Sequence, residues 1–329
     1  MHAFAGAGVL ALLNGIALGV AAILFIDYAR ERGPVKSDIP KQSEPSAEVR
    51  TELAQRFAPI LQYDSRELFV PISRGAYVGR TQLKEQEGRF FRLLNAIPKE
   101  DTLPVVEGTC IRARGCVYML DVRGVEPDPP KQSQPAYGAI QRRLLRGGER
   151  PTVYAHVTQY EDSGDYAVQY WFLYLFNFRL NEHESDWEQI TVRLNEDKEP
   201  QDAYFSAHEG GNVRPWLEVE KRGDHPVDYA ALGSHANYFE RGRHPVKVGC
   251  RRVIGSIKSC LRGRRVLVDV NNAAGRILRP GQYAIVELTG RPYIGSYGTG
   301  NYVVLTRKPD VLNDPRRRTL WRDPLRPLR

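Results

Sequence analysis

The run AVQYWFLYLFNF, residues 167–178, limits the fold more than any other stretch: it holds no charge, and half of its positions are aromatic. A strand with one wet face alternates apolar and polar residues, whereas a strand covered on both faces reads as a continuous apolar run. The chain must therefore supply cover on both sides of this segment. With 42% hydrophobic and 10% aromatic residues it has the material for a real core.

The neighbouring segments read as strands too. TVYAHVTQY (152–160) leads through EDSGDY, whose Ser-Gly-Asp suits a hairpin turn, into the aromatic run. EQITVRL alternates, and DAYFSAH (202–208), VDYAALGSH (227–235), RRVLVDV and QYAIVEL follow. Helical periodicity is limited to Val49, Leu53 and Phe57 before Pro59, and to YGAIQRRLL (137–145). Many short strands and few helices predict a mainly β fold, an antiparallel, jelly-roll-like β-sandwich with a few short helices.

Ahead of this body, Phe4 to Ile26 (FAGAGVLALLNGIALGVAAILFI) contains no charge. As a helix it would span about 34 Å at ~1.5 Å per residue, enough for a bilayer core. It lacks the basic start and the cleavage site of a signal peptide, so the expectation is an uncleaved signal-anchor, one transmembrane helix. The implied organisation is an anchor over 1–30, a Pro/Ser/charge linker over 31–47, a β-sandwich domain over 48–310 and a basic Pro/Arg-rich tail over 311–329.

Two signals disagree on which side of the membrane the body lies. Arg30, Arg32 and Lys36 follow the span, which by the positive-inside rule places the body in the cytoplasm. Cys110 with Cys116 and Cys250 with Cys260 form two close pairs, which suggests disulfides and an oxidising compartment. The cysteines tip the expectation to a single-pass membrane protein with an extracytoplasmic body. Five of the eight net positive charges fall in residues 307–329. Without a recognition fold behind it, such a tail reads as solvated or lipid-touching rather than as a nucleic-acid site.

The chemistry concentrates in NEHESDWEQITVRL, residues 181–194. On a strand, Asp186 and Glu188 share a face with Ile190, Val192 and Leu194, while Trp187 faces the opposite side. A carboxylate turned to a core must be paired, hydrogen-bonded or metal-bound. A hard divalent cation, Mg²⁺, Ca²⁺ or Mn²⁺, would satisfy both acids, with His183 and the amide oxygen of Asn177 completing the set. The plain alternative pairs one acid with Arg179 or Arg193 and leaves the other in solvent.

His208 and Glu209 in SAHEGG, and His235 in ALGSHANYF, end strands at glycine-containing turns, and would line one pocket if those ends converge on the acids. As adjacent strand residues, Ser234 and His235 do not make a catalytic pair.

H-x-x-D-W-E here (His183, Asp186, Trp187, Glu188) is similar to the G-H-R-H-D-W-E heptapeptide of the necrosis- and ethylene-inducing-like proteins. That resemblance implies a β-sandwich in which His183, Asp186 and Glu188 ligate a divalent cation at one end. Glu184-Ser185 stands where those cytolysins have Arg-His, so toxicity does not carry over. Across roughly residues 60–240, LQYDSRELFVPIS, QYWFLYLFN, HESDWEQITVRL, FSAHEGG and YAALGSHANYF resemble the vacuolar protein sorting-associated protein 62 family in its bacterial and plant relatives. Nothing in these residues supports the sorting role in that family's name.

The functional expectation is a membrane-tethered domain that uses a divalent cation to bind an anionic or polyol ligand, a lipid head group or a glycan. Trp216, Tyr238 and Phe239 would form the aromatic surround, with Glu209 beside them. One rival is a metal-dependent hydrolase with His208 or His235 as general base. Another is a structural envelope protein whose acid pair only locks a loop.

Overall fold

The computed structural model describes residues 39–87, 90–103, 116–125, 133–179, 182–208, 210–246, 267–290, 292–299 and 313–329. The apolar segment 4–26, Glu209, Cys110, Cys250 and Cys260 lie outside them, and of Cys116 only the backbone is described. Among the described residues no helix is long and apolar enough to cross a membrane.

The body, Pro40–Arg329, opens with β1 (Gln42–Ser43) and α1 (Ala47–Arg56), whose first turn is capped by Ser46 Oγ accepting from the Val49 amide. After β2 (Ile60–Tyr63) and α2 (Arg74–Val78) come β3 (Thr81–Glu87), β4 (Phe90–Asn95), β5 (Cys116–Val122) and α3 (Gln134–Arg146). Five successive strands follow: β6 (Thr152–Tyr160), β7 (Tyr166–Asn177), β8 (His183–Leu194), β9 (Pro200–Ala207) and β10 (Gly210–Pro215). Shorter strands complete the set: β11 (Lys221–Arg222), β12 (His225–Ala230), β13 (Asn237–Tyr238), β14 (Gly242–Val246), β15 (Leu267–Asn271), β16 (Ile277–Leu278) and β17 (Ala284–Glu287). The short helix α4 (Thr319–Arg322) lies near the C-terminus.

The main sheet has the order β1-β6-β7-β8-β9-β10, with β17 alongside β6. A second sheet runs β11-β12-β2-β16 with β13 on β12, and the pairs β3–β4, β3–β5 and β14–β15 stand apart. Pairing is antiparallel except for β2 with β12 and β17 with β6, and no sheet closes on itself. The fold is thus mainly β, with four short helices among the described residues.

β7 is buried at every position and β8 at all but Arg193, which accounts for the continuous apolar run. Alternate residues of β7 meet different partners. On one face Tyr170 donates to the Ala54 carbonyl of α1 at 3.0 Å, and the Tyr174 hydroxyl meets that of Tyr63 in β2 at 3.2 Å. On the other, Gln169 donates to the Leu320 carbonyl at 2.9 Å, and Trp171 lies 5.9 Å from Trp321.

That second face is covered by the segment expected to be an extended tail. Residues 313–329 instead fold onto the sheet: Trp321 stacks on His156 at 3.8 Å, and Leu325 is buried against Tyr160 and Ala167. Arg318 donates to the Trp187 carbonyl at 2.8 Å, and the carboxylate of Asp323 takes the Tyr160 hydroxyl at 2.9 Å. Arg316 and Arg318 here serve backbone carbonyls and, for Arg316, the buried Asp314 rather than solvent.

Candidate functional site

The register of β7 and β8 sets the site. Tyr174 lies opposite Asp186 and Phe172 opposite Glu188, so both acids project where the second sheet packs. Trp187 projects to the other side, against Tyr154 at 5.6 Å and Tyr297 at 5.7 Å. Alternation breaks once, at Ser185, whose φ of 55° is left-handed. Glu184 is thereby turned away from Asp186 and is fully engaged by Tyr137 Oη at 2.6 Å, the Val122 amide at 2.9 Å and the Thr299 amide at 3.1 Å. Burial, with the charge of Asp121, raises its pKa to about 8.

Asp186 has no exposed surface. Its Oδ2 accepts from Asn177 Nδ2 at 2.9 Å and from His235 Nδ1 at 3.1 Å, while Oδ1 is buried with no hydrogen-bond partner. The Asn177 amide oxygen is taken by the Arg179 amide at 3.0 Å, so it is the nitrogen of Asn177 that faces the acid. Glu188 accepts from Ser206 Oγ at 2.7 Å, and burial together with the charge of Asp186 pushes its pKa well above the usual carboxylate range. Neither acid faces solvent, and Arg193 pairs with Asp202 at 2.9 Å instead of with either of them.

His183 donates Nδ1–H to the Ser185 carbonyl at 2.7 Å. Burial lowers its pKa, so the ring is neutral and Nε2 keeps its lone pair, the form in which histidine binds metals. His235 is different. It stacks on Tyr174 at 3.9 Å with Asp186 on one nitrogen and Glu67 Oε1 3.7 Å from the other. Burial alone would lower its pKa, but Glu67 and Asp186 overcome that and raise it to about 9. Glu67 is itself fixed by the amides of Leu68 and Phe69, each at 2.9 Å, and of Gly233 at 2.7 Å.

His208 donates Nε2–H to Asp269 at 2.7 Å, and that carboxylate also takes Tyr238 Oη at 2.9 Å and Ser234 Oγ at 3.0 Å. Burial works against both partners' charged forms, yet the bond raises the histidine pKa and lowers that of the acid. Adjacent residues link the two clusters, Ser234 bonding Asp269 and His235 bonding Asp186. Trp216 packs edge-on against Phe57 at 5.7 Å with Lys221 over its ring, and Phe239 stacks on Phe205 at 3.9 Å.

Sequence reasoning missed Glu67 and Asp269. Asp269 carried the signal that singled out Asp186, an acid within an aliphatic strand (LVDVN), whereas Glu67 is a loop acid whose partners are backbone amides.

As a test for a bound cation, the donor types fit: an orphaned buried Asp186 oxygen, a second carboxylate two residues on, and a neutral His183. Among the described residues no group of three or more His, Cys, Asp and Glu is placed to hold a metal ion, His183, Asp186 and Glu188 included.

These observations define the class: a β-rich domain with a buried carboxylate–histidine centre where its central strands end. Residues 163–270 match the family model of vacuolar protein sorting-associated protein 62. The matched segment holds Asn177, Arg179, His183, Asp186, Glu188, His208, His235 and Asp269, whereas Glu67 precedes it. No curated protein and no solved structure matches the chain.

Proposed function

We propose that the body is a β-sandwich, its two larger sheets packed face to face, that takes a divalent cation between Asp186 and Glu188 and thereby holds an anionic or polyol ligand. The observation that carries this reading is Asp186 Oδ1, a buried carboxylate oxygen without a partner beside an oxygen that has two. Leaving such an atom unsatisfied costs about 1–3 kcal/mol, more when it is charged. A cation removes that cost and relieves the repulsion that drives Glu188 towards protonation. Backbone conformation supports the same place: Ser185, His208 and His235 are three of the five non-glycine residues described with positive φ. Such strain persists where the surroundings over-determine it, and it clusters at functional sites.

The test is thermal unfolding of the full-length chain with Mg²⁺, Ca²⁺ or Mn²⁺. One of these ions is expected to raise the Tm by several degrees at about 100 times its Kd, because a ligand specific to the folded state contributes about 2.7 kcal/mol there. Asp186→Ala should abolish the shift. Absence of any shift in the parent chain, or an undiminished one in the variant, would rule the site out.

A further inference from the structure

We propose that Arg179 and His208 form the anion-recognising edge of this site, so that the ligand held there carries a phosphate group rather than being a neutral polyol. The inference rests on the ligand-binding reading above and decides between its two ligand classes.

The charged groups around the acids pair locally. The ring of His235 sits between Asp186 and Glu67, and His208 is bonded to Asp269. Arg179 stands outside these pairs. It lies two residues past Asn177 at the end of β7, one terminal nitrogen donating to the Val268 carbonyl at 2.8 Å. Its Nε is buried without a hydrogen-bond partner. A guanidinium drawn partly out of water with an unused donor is costly unless an anion completes it.

His208 supplies the second group. Its side chain keeps 36% of its surface, its Nε2 is spent on Asp269, and its Nδ1 has no partner among the described residues. Arg179 donates to the Val268 carbonyl and His208 to the Asp269 carboxylate, so the two side chains meet neighbouring residues of β15. A guanidinium fork matches the paired oxygens of a phosphate, and an imidazolium N–H takes a third. Hard divalent ions bound by few carboxylates take phosphate oxygens to fill their shell. Arginine, histidine and the acid pair thus ask for one tetrahedral, multiply charged group, which a polyol does not offer.

The experiment is calorimetric titration of the full-length chain with Mg²⁺ alone, then with glycerol 3-phosphate, inorganic phosphate, dioctanoyl phosphatidic acid and glycerol. The phosphate-bearing probes are expected to bind and glycerol is not. Arg179→Lys and Arg179→Gln, checked for an unchanged Tm, should each weaken phosphate binding by about tenfold or more, since a charge-assisted bidentate contact is lost. His208→Gln should weaken it by less. Tighter binding of the phosphatidic acid than of glycerol 3-phosphate marks a lipid source, equal binding of inorganic phosphate marks a free one, and both support the proposal. It is overturned if no phosphate probe binds, if glycerol binds equally well, or if both Arg179 variants keep full affinity. Should the phosphates bind through Arg179 while no cation binds, the cation reading fails and this one stands. Cation binding without any phosphate binding gives the reverse.

Discussion

Gly233 has two independent reasons to be glycine. Its φ is 72°, and a Cβ placed there would lie 2.6 Å from the Phe178 ring. Its amide fixes Glu67 at 2.7 Å, and its carbonyl takes the Phe178 amide at 3.1 Å. One residue thus ties the loop that carries Ser234 and His235 to the end of β7 and to the acid facing His235. Gly233→Ala is therefore expected to cost at least about 2 kcal/mol, from left-handed strain plus a steric clash with a packed ring. Urea unfolding measures it, and a loss below about 0.5 kcal/mol would show that the loop adapts freely. The same residue explains a limit of sequence reading. Asp186 and Glu188 were legible because acids on an aliphatic strand face break a pattern. Glu67 breaks none, since loop acids are common and its partners are backbone amides that no side-chain pattern reveals.

At the scale of elements, β7 and β8 were the most legible part of the chain, because burial on both faces leaves its mark on every residue. What covers them was less so. Arginine and proline in the last residues suggested solvent, yet Arg316 donates to the Thr289 carbonyl at 2.7 Å and Arg318 to that of Trp187 at 2.8 Å. Composition records charge but not the carbonyls that absorb it. This C-terminal cover carries a pH dependence through His156, which lies beneath Trp321 and donates Nδ1–H to Gln169 Oε1 at 2.9 Å. Burial lowers its pKa to about 4, against the weaker opposing pull of Glu287. A depressed histidine contributes stability that is complete above its unfolded value of ~6.5 and is lost as pH falls towards the folded value. The expected loss is roughly 2 kcal/mol by pH 4.5, reduced from the full linkage value because the ring keeps some contact with water. In His156→Phe, which retains the stack and cannot titrate, the urea midpoint should fall less between pH 7 and pH 4.5. Parallel decline in both proteins would remove His156 from the acid response.

For the whole molecule, the unanswered question is which compartment the body occupies, and two parts of the sequence bear on it together. The segment Phe4–Ile26 suits a membrane anchor, and the residues that follow it are basic. The cysteines argue the other way. Cys110 and Cys116, and Cys250 and Cys260, are close in sequence, and Cys116 begins β5. Loops that short gain about 3 kcal/mol or less from a disulfide by the chain-entropy estimate, so such bonds persist only where the compartment is oxidising. Charge bias sets topology statistically, through a few residues near the span. Paired cysteines would record where the body resides, and for that reason the cysteine signal is given more weight. Intact cells producing the full-length chain should then show no labelling by a membrane-impermeant maleimide until a reductant is added, and four reactive thiols afterwards. Labelling that needs cell lysis but no reductant would place the body in the cytoplasm with free thiols. A phosphate-recognising site would in that case meet soluble phosphoesters as well as lipid head groups, so the topology result also bears on which ligand sources reach the Arg179 edge.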